Sequence, residues 1–376
     1  MRTEVTTDQA PLKVLMTLDA VGGVWRYSLN LASALADFGV ETVFLGFGPA
    51  PDGQQEAEAR AIGTLEWSDQ PLDWMASGAN ALAAIPDVIA EVAGRMQADL
   101  LHLNLPSQAS GLVTELPVLV VSHSCVPTWF QAVRGHEAEP GFEWHHGLNA
   151  EGLAGADLVV TPSRSHGELV TRCYGPLPHL ATVQNGSAAP ETEALKQPFV
   201  FSAGRWWDEG KNGQLLDLAA ASSLWPIRVA GSCDGPGGEQ FRFLHVEHLG
   251  ALTHRDLLSH SARAAIFVSP SRYEPFGLAV LEAARGGAAL VLSDIPTYRE
   301  LWDDAAIFID PHDPLALAGV LNGLADQPFE RDRLGWAARL RSRSFTTENQ
   351  AERMVRLYRS LLRPAVEPRL LEASPS

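Results

Sequence analysis

The chain has 376 residues, with 45 acidic against 28 basic side chains and a formal net charge of -17. This excess of negative charge argues against nucleic acid as a partner. No apolar run reaches the length of a membrane span, and the chain length suits two domains of ordinary size.

The start of the chain and its cysteines indicate the cellular compartment in which the protein is expected. The segment from Met1 to Pro11 is short and polar and lacks the apolar core of a secretion signal. Cys125, Cys173 and Cys233 are far apart and form neither a disulfide framework nor a paired metal-ligand spacing. We therefore expect a cytoplasmic protein without membrane association.

The first half predicts short buried strands that alternate with helices. Residues 12–17 predict a buried strand, and residues 24–38 predict a helix that ends at Gly39. The interval 53–77 is interpreted as irregular. Further predicted elements are a helix at 83–96, strands at 41–45, 100–104, 116–122, 158–161 and 182–186, and a loop at 136–149 that contains histidine and glycine.

The second half repeats this alternation after a polar linker at 187–198 with a proline near each end. The predicted strands are 199–202, 227–230, 246–249, 266–268 and 288–292. The predicted helices are 211–222, 254–264, 313–325, 329–345 and a final helix at 348–362, followed by a frayed tail beyond Pro364.

Short apolar strands that alternate with helices predict parallel sheets covered by helices on both faces. The expected fold class is α/β, with two doubly wound Rossmann-like domains at 1–190 and 191–376 that face a central cleft. A cleft between domains is a common place for a ligand site.

Residues 274–282, Glu-Pro-Phe-Gly-Leu-Ala-Val-Leu-Glu, join a predicted strand to a predicted helix. Glu274 and Glu282 would lie roughly 12 Å apart along a helix and could contact two parts of one long ligand. Between them, amides of Phe276, Gly277 and Leu278 lie near a helix N-terminus, where anions bind well. An elongated ligand with hydroxyls at each end and a phosphate between them, such as a nucleotide-sugar, fits this pattern.

A second loop, residues 204–212, follows the strand at 199–202. Arg205 and Lys211 flank this loop and could neutralise a diphosphate. For both loops the alternative is an ordinary surface loop with solvated charges. Gly22 and Gly23 follow the first strand, but they do not form a dinucleotide-binding fingerprint and could simply be a tight turn.

These two loops resemble those of the retaining glycosyltransferases with the two-domain GT-B fold, of the family-four type. The resemblance covers nearly all of the second half and, more loosely, the first. It implies that Arg205 and Lys211 hold the donor phosphates, that Glu274 holds the transferred sugar and that Glu282 holds the ribose. The resemblance also assigns donor-binding positions to Gly22, Gly23, Gly204, Gly231, Leu249, Phe276, Gly277 and Leu278.

The same resemblance places His123 against the transferred sugar, from the other side of the cleft. The alternative for His123 is a capping or core histidine. Asp19, in the turn with Gly22, is a possible further contact. The final helix is expected to cross back to the first domain.

The implied activity is transfer of a hexose from a UDP- or GDP-sugar to an acceptor hydroxyl, with retention at the anomeric carbon. The family is thought to react by front-side attack, with the leaving phosphate taking the acceptor proton. No cofactor and no metal are required by the pattern. The alternatives are an epimerase or a phosphorylase of the same fold, or a non-catalytic sugar-nucleotide binding protein.

The acceptor is a small molecule or a glycan that the sequence does not identify. Residues 1–190 carry 8 basic and 21 acidic side chains, which disfavours an anionic lipid or polymer as acceptor, although surface acid also keeps proteins soluble. His136, His145, His146 and Glu143 suggest either a metal site or a mobile acceptor loop.

Overall fold

The computed structural model describes residues 11–192 and 194–363, and within them the strands form two parallel sheets. The first sheet has seven strands in the order β3-β2-β1-β4-β5-β6-β7. These strands are β1 (Leu12–Asp19), β2 (Val40–Phe47), β3 (Thr64–Trp67), β4 (Leu100–Leu103), β5 (Val118–Val121), β6 (Leu158–Thr161) and β7 (Leu180–Thr182). Its helices are α1 (Gly23–Leu35), α2 (Gly53–Arg60), α3 (Ile85–Met96), α4 (Val126–Val133), α5 (Trp144–Gly155) and α6 (Arg164–Tyr174).

The second sheet has six strands in the order β10-β9-β8-β11-β12-β13. They are β8 (Gln197–Ala203), β9 (Ile227–Ala230), β10 (Glu247–His248), β11 (Ala264–Ser269), β12 (Ala289–Ser293) and β13 (Ala306–Ile309). The helices are α7 (Gly213–Ala220), α8 (His254–Arg263), α9 (Leu278–Arg285), α10 (Pro296–Trp302), α11 (Pro314–Asp326), α12 (Pro328–Ser342) and α13 (Thr347–Leu361).

Both faces of each sheet are covered by helices. In β1, Val14 and Met16 belong to a buried cluster with α1 and α13, whereas Leu15 belongs to a second cluster with α3. Successive side chains of a strand point to opposite faces, so continuous apolar strands bury both. The doubly wound α/β fold predicted from the sequence is confirmed.

The strand order reverses beside β1 in the first sheet and beside β8 in the second. In open parallel sheets, such reversals open a crevice at the carboxyl ends of the strands, and ligands bind there. The loops after β1, β8 and β11 therefore lie where a ligand is expected.

The final helix returns to the first sheet. Met354, Val355 and Tyr358 of α13 are fully or almost fully buried in the cluster that contains Val14 and Leu29. The chain thus enters the second sheet at β8 and comes back to pack on α1.

Two intervals differ from the sequence prediction. Residues 53–77 are not irregular, because Asp52 caps α2 through the amides of Gln54 and Gln55, and β3 pairs with β2. The predicted loop 136–149 contains the start of α5, which begins at Trp144 and buries His145 and Asn149. The polar composition of both intervals concealed these elements.

Some boundaries also move. The last strand of the first half is β7, which ends at Thr182 where the predicted strand at 182–186 begins, and β8 begins at Gln197, inside the predicted linker. The polar leader at 1–10, Glu193 of the linker and the tail at 364–376 lie outside the described residues. Within the described residues, every helix is too short or too polar to span a bilayer.

Candidate active site

A lysine and a glutamate meet where β8 and β11 end. Lys211 Nζ donates to Glu274 Oε2 at 2.6 Å, and the two side chains are 17% and 19% exposed. Lys211 ends a short 3-10 turn after β8, and Glu274 lies in the loop that joins β11 to α9. Since β8 and β11 are neighbours in the sheet, their loops bring together two side chains that lie far apart in sequence.

The backbone beside Glu274 is shaped by Gly277. Its φ is 92°, and a Cβ there would lie 3.3 Å from both Glu274 Cγ and Tyr298 Cε1. Glycine is the residue that adopts this conformation without strain. Gly277 precedes α9, so the first amides of the helix, which have no partner within it, are free to face an anion.

The neighbours of Gly277 hold this loop in place. The Phe276 side chain is buried edge-on against Phe345, at 5.7 Å between ring centroids. Leu278 packs against buried clusters of both sheets. Phe276 can therefore offer a ligand its backbone only.

Arg205 extends towards the first domain. A Cβ on Gly22 would lie 2.8 Å from Arg205 Nη1, so the guanidinium lies directly against the glycine turn after β1. That turn is held by Asp19 Oδ1, which accepts from the amides of Val21 and Gly22 at 2.9 and 3.1 Å. Burial raises the pKa of Asp19, while these amides and Arg205 act in the opposite direction. Gly23 has open space around it.

Gly204 and Gly231, the remaining predicted site glycines, contact each other directly after the strands β8 and β9. Gly231 has φ 117°, and a Cβ there would lie 1.9 Å from the carbonyl oxygen of Gly204. Gly204 in turn lies against the Lys211 side chain, 3.5 Å from an added Cβ to Lys211 Cγ. The Leu249 amide donates to the Val229 carbonyl at 2.8 Å. These positions directly follow the strands β8, β9 and β10, and Gly204 contacts Lys211.

Glu282 is 6% exposed, and its carboxylate contacts a histidine that the sequence did not indicate. His254 Nε2 lies 2.8 Å from Glu282 Oε1. His254 is the first residue of α8 and follows Thr253, whose side chain caps that helix. The Thr-His-Arg-Asp pattern marks the helix start, but nothing in it indicates a neighbour of Glu282.

His123 follows β5 on the other side of the cleft and is partly exposed. Its Nε2 lies 2.9 Å from Asn104 Oδ1, and its ring packs edge-on against Tyr27 at 4.2 Å between centroids. Burial lowers the pKa of His123 to about 3, so the ring is neutral at ordinary pH. The hydrogen-bond partner of His123 is thus Asn104. The sequence predicts only that Asn104 ends a strand.

Hydrogen bonds across the cleft hold the two domains together around this site. Trp129 Nε1 donates to Asp208 Oδ1 at 2.9 Å, and Ser163 Oγ donates to the Pro275 carbonyl at 2.7 Å. Thr128 Oγ1 lies 2.9 Å from the Tyr273 hydroxyl. These contacts place α4 and the start of α6 against the loops that carry Lys211 and Glu274.

The histidines at 136–146 do not converge. His136 Nδ1 pairs with the Glu137 carbonyl, His145 Nε2 with the Asp73 carbonyl, and His146 Nε2 with the Cys173 carbonyl. Within residues 11–192 and 194–363, no three His, Cys, Asp or Glu side chains are grouped as metal ligands.

Two doubly wound domains with this cleft define the GT-B class of glycosyltransferase folds. A model of Glycosyltransferase Family 4 matches residues 21–187, and a model of Glycosyl transferases group 1 matches residues 190–341. The chain belongs to the group 1 glycosyltransferases.

Among solved structures, sucrose-phosphate synthase from Thermosynechococcus elongatus is similar at 18% identity and a TM-score of 0.76, covering 93% of this chain and 99% of that one. Anabaena HepE in complex with UDP and glucose is similar at 15% identity and a TM-score of 0.72, covering 93% and 100%.

Among curated relatives, the glycogen synthase of Mycobacterium tuberculosis is 29% identical over 234 residues, which cover 57% of this chain and 56% of the relative. The chain thus spans about half the length of the curated relatives it matches.

Proposed function

We propose that the protein is a retaining glycosyltransferase that moves a hexose from a UDP- or GDP-sugar to an acceptor hydroxyl. The observation that carries the proposal is the Lys211–Glu274 ion pair in the cleft, with Arg205 against the facing glycine turn. A donor diphosphate would take Lys211 and Arg205 as partners, and Glu274 would be released to bind hydroxyls of the transferred sugar.

In this proposal the cations supply most of the catalysis. The bond from the anomeric carbon to the diphosphate oxygen breaks, and that carbon bonds to the acceptor oxygen. Lys211 and Arg205 stabilise the charge that develops on the leaving diphosphate, which is electrostatic catalysis. The leaving phosphate oxygen takes the acceptor proton. Glu282, oriented by His254, would bind the ribose hydroxyls.

A thermal-shift panel of nucleoside diphosphates and their sugars tests donor binding. A ligand that binds the folded state raises the melting temperature by mass action. We expect one nucleotide series to stabilise the wild-type protein and to have no effect on Lys211→Ala. Lys13→Ala, which removes a lysine on β1 far from the cleft, is the matched control and should respond like the wild type. UDP and UDP-glucose are tested first, because UDP is the nucleotide bound in the HepE complex.

Turnover and stereochemistry test the catalytic roles. We expect Lys211→Ala and Glu274→Ala each to lower turnover by at least about 100-fold, the range found when one charge-stabilising group is removed. NMR of the product should show the anomeric configuration of the donor. An inverted product would refute the retaining mechanism, and near-normal turnover in either variant would refute the role of that residue.

A further inference from the structure

A buried polar network connects His123 to the final helix. Asn104 follows β4, His102 lies within β4, and Tyr358 lies on α13. These three side chains are at most 1% exposed. In such a setting, nearly every polar atom must find a partner, so the direction of each hydrogen bond can be determined.

The orientation of the Asn104 amide follows from its neighbours. Asn104 Nδ2 lies 2.6 Å from the carbonyl oxygen of Thr17, which can only accept, and 3.3 Å from Ser28 Oγ. The opposite orientation would place two oxygens 2.6 Å apart without a proton between them. Asn104 Oδ1 is therefore the atom that faces the two histidines.

Both histidines must donate to that oxygen. His123 Nε2 lies 2.9 Å and His102 Nε2 lies 3.2 Å from Asn104 Oδ1. Because an amide oxygen has no proton to give, His123 Nε2 carries one. His102 Nε2 also lies 3.4 Å from the Tyr27 hydroxyl, but a bare nitrogen 3.2 Å from Asn104 Oδ1 would be repelled by that oxygen, so His102 Nε2 carries a proton as well. Burial lowers the pKa of His102 and of His123 to about 3, so each ring holds a single proton, and that proton is on Nε2.

The far side of His102 agrees with this assignment. His102 Nδ1, which then has a free lone pair, lies 2.6 Å from the Tyr358 hydroxyl. Burial raises the pKa of Tyr358 well above its usual value, so the hydroxyl keeps its proton and donates it to Nδ1. Every bond from α13 to His123 thus has a defined donor.

We propose that Asn104 is a positioning residue that holds His123 as the Nε2–H tautomer, so that His123 presents Nδ1 as a hydrogen-bond acceptor to a ligand in the cleft. The fitting ligand group is a hydroxyl that donates its proton, and a carbonyl or phosphate oxygen does not fit. That this hydroxyl belongs to a sugar rests on the proposed function. The tautomer itself does not.

The surroundings of His123 support a neutral ring. The groups against it are the ring of Tyr27, the amide of Asn104 and the neutral His102, and burial among them is the main cause of its lowered pKa. The Tyr27 pKa is raised by burial, so this phenol is also uncharged.

NMR of the full chain labelled with ¹⁵N-histidine tests the tautomer directly near neutral pH. Two-bond proton–nitrogen correlations distinguish a protonated from a bare ring nitrogen, and the His123 signals are identified by their loss in His123→Gln. We expect a protonated Nε2 and a bare Nδ1. A protonated Nδ1, or a mixture of tautomers, in the wild-type protein would overturn the proposal. This test does not depend on the folding of any Asn104 variant.

Kinetics test the functional consequence. Asn104→Leu keeps the approximate side-chain volume but removes the oxygen that accepts from His123. We expect kcat, measured as nucleoside diphosphate released from the donor, to fall by about tenfold or more. The kcat of His123→Ala should fall by at least the same factor. If Asn104 acts through His123, the double variant is no slower than His123→Ala alone, whereas additive losses overturn the proposal.

Ser28→Ala is the matched control, because it removes a partner of the Asn104 amide nitrogen but leaves the bonds to Thr17 and His123 in place. It should keep the wild-type tautomer and kcat. If the tautomer is as expected but His123→Ala remains fully active, the proposed contact of His123 with the ligand is overturned.

Discussion

At the residue scale, the side of the cleft formed by the second domain depends on side-chain charges and on backbone shape together. Gly231 and Gly277 both have positive φ, and each leaves room for a neighbouring group that a Cβ would displace. The sequence indicated the charged residues because Glu274 and Lys211 lie in recognisable loops and Glu282 lies on the helix that follows the Glu274 loop. It could not indicate His254 as partner of Glu282, because their contact joins two helices through space.

Buried histidines at this scale predict a pH dependence of stability. Burial lowers the pKa of His166 to about 4, from an ordinary value near 6.5. Between these values the unfolded chain binds a proton that the folded chain does not. The free energy of unfolding should therefore fall as the pH drops from 6.5 to 4, by up to about 1.4 kcal/mol per pH unit for this residue.

Urea unfolding at several pH values measures this slope. His166→Leu should make the slope between pH 6.5 and 4 shallower by up to about 1.4 kcal/mol per pH unit. His312→Leu, which removes an exposed histidine, is the control, and the difference between the variants isolates the effect of burial. A slope in His166→Leu equal to that of the wild type would contradict the prediction.

At the scale of elements, a helix of the first half is capped by a side chain of the second. Glu300 of α10 accepts from the amides of Arg164 and Ser165 at the N-terminus of α6, at 2.9 and 2.7 Å, and from the Ser165 hydroxyl. A carboxylate at a helix N-terminus satisfies free amides and interacts favourably with the helix dipole. Glu300 thus stabilises α6 and joins α6 to the second domain.

Glu300→Ala should lower the free energy of unfolding by about 1–2 kcal/mol, the usual cost of losing an N-terminal cap with its charge. Glu330→Ala, which breaks an ion pair with Arg333 on the surface of α12, is the control and should cost less than about 1 kcal/mol. Equal effects in urea unfolding would show that Glu300 contributes no more than a surface ion pair.

At the scale of the whole molecule, the two domains are interlocked by the final helix. Residues that follow the second sheet in sequence complete the core of the first, and Met354 is fully buried in the cluster that contains residues of β1 and α1. Gln350 Oε1 also accepts from the Gly186 amide at the end of the first half. We therefore expect the first sheet to depend on the C-terminal helix for its stability.

Met354→Ala should lower the free energy of unfolding by about 2–5 kcal/mol, because it leaves a cavity in this core. Hydrogen exchange should show the loss in α1 and β1 more than in α9 and β12. Leu340→Ala, at a site 48% exposed on α12, is the control and should change stability by less than about 0.5 kcal/mol. A loss of protection confined to the second sheet would contradict the interlocking.

The sequence by itself determined the α/β class and the strand-ending loops that carry Glu274, Lys211 and Arg205. Apolar runs and glycine-containing loops are local signals, and they report local structure. It missed α2 and β3, since α2 is capped by Asp52 and β3 is stabilised by pairing with β2 rather than by an apolar pattern of its own. It also missed the start of α5, where the polar side chain of His145 is buried by a tertiary contact with the Asp73 carbonyl.

Only the tertiary structure decided which side chains meet. The Lys211–Glu274 pair, the His254–Glu282 pair and the path from Tyr358 to His123 each join residues from different elements. The proton positions in that path depend on the carbonyl of Thr17, 87 residues from Asn104. Such contacts are set by the order of parallel strands and by the return of α13, and no local spacing in the chain encodes them.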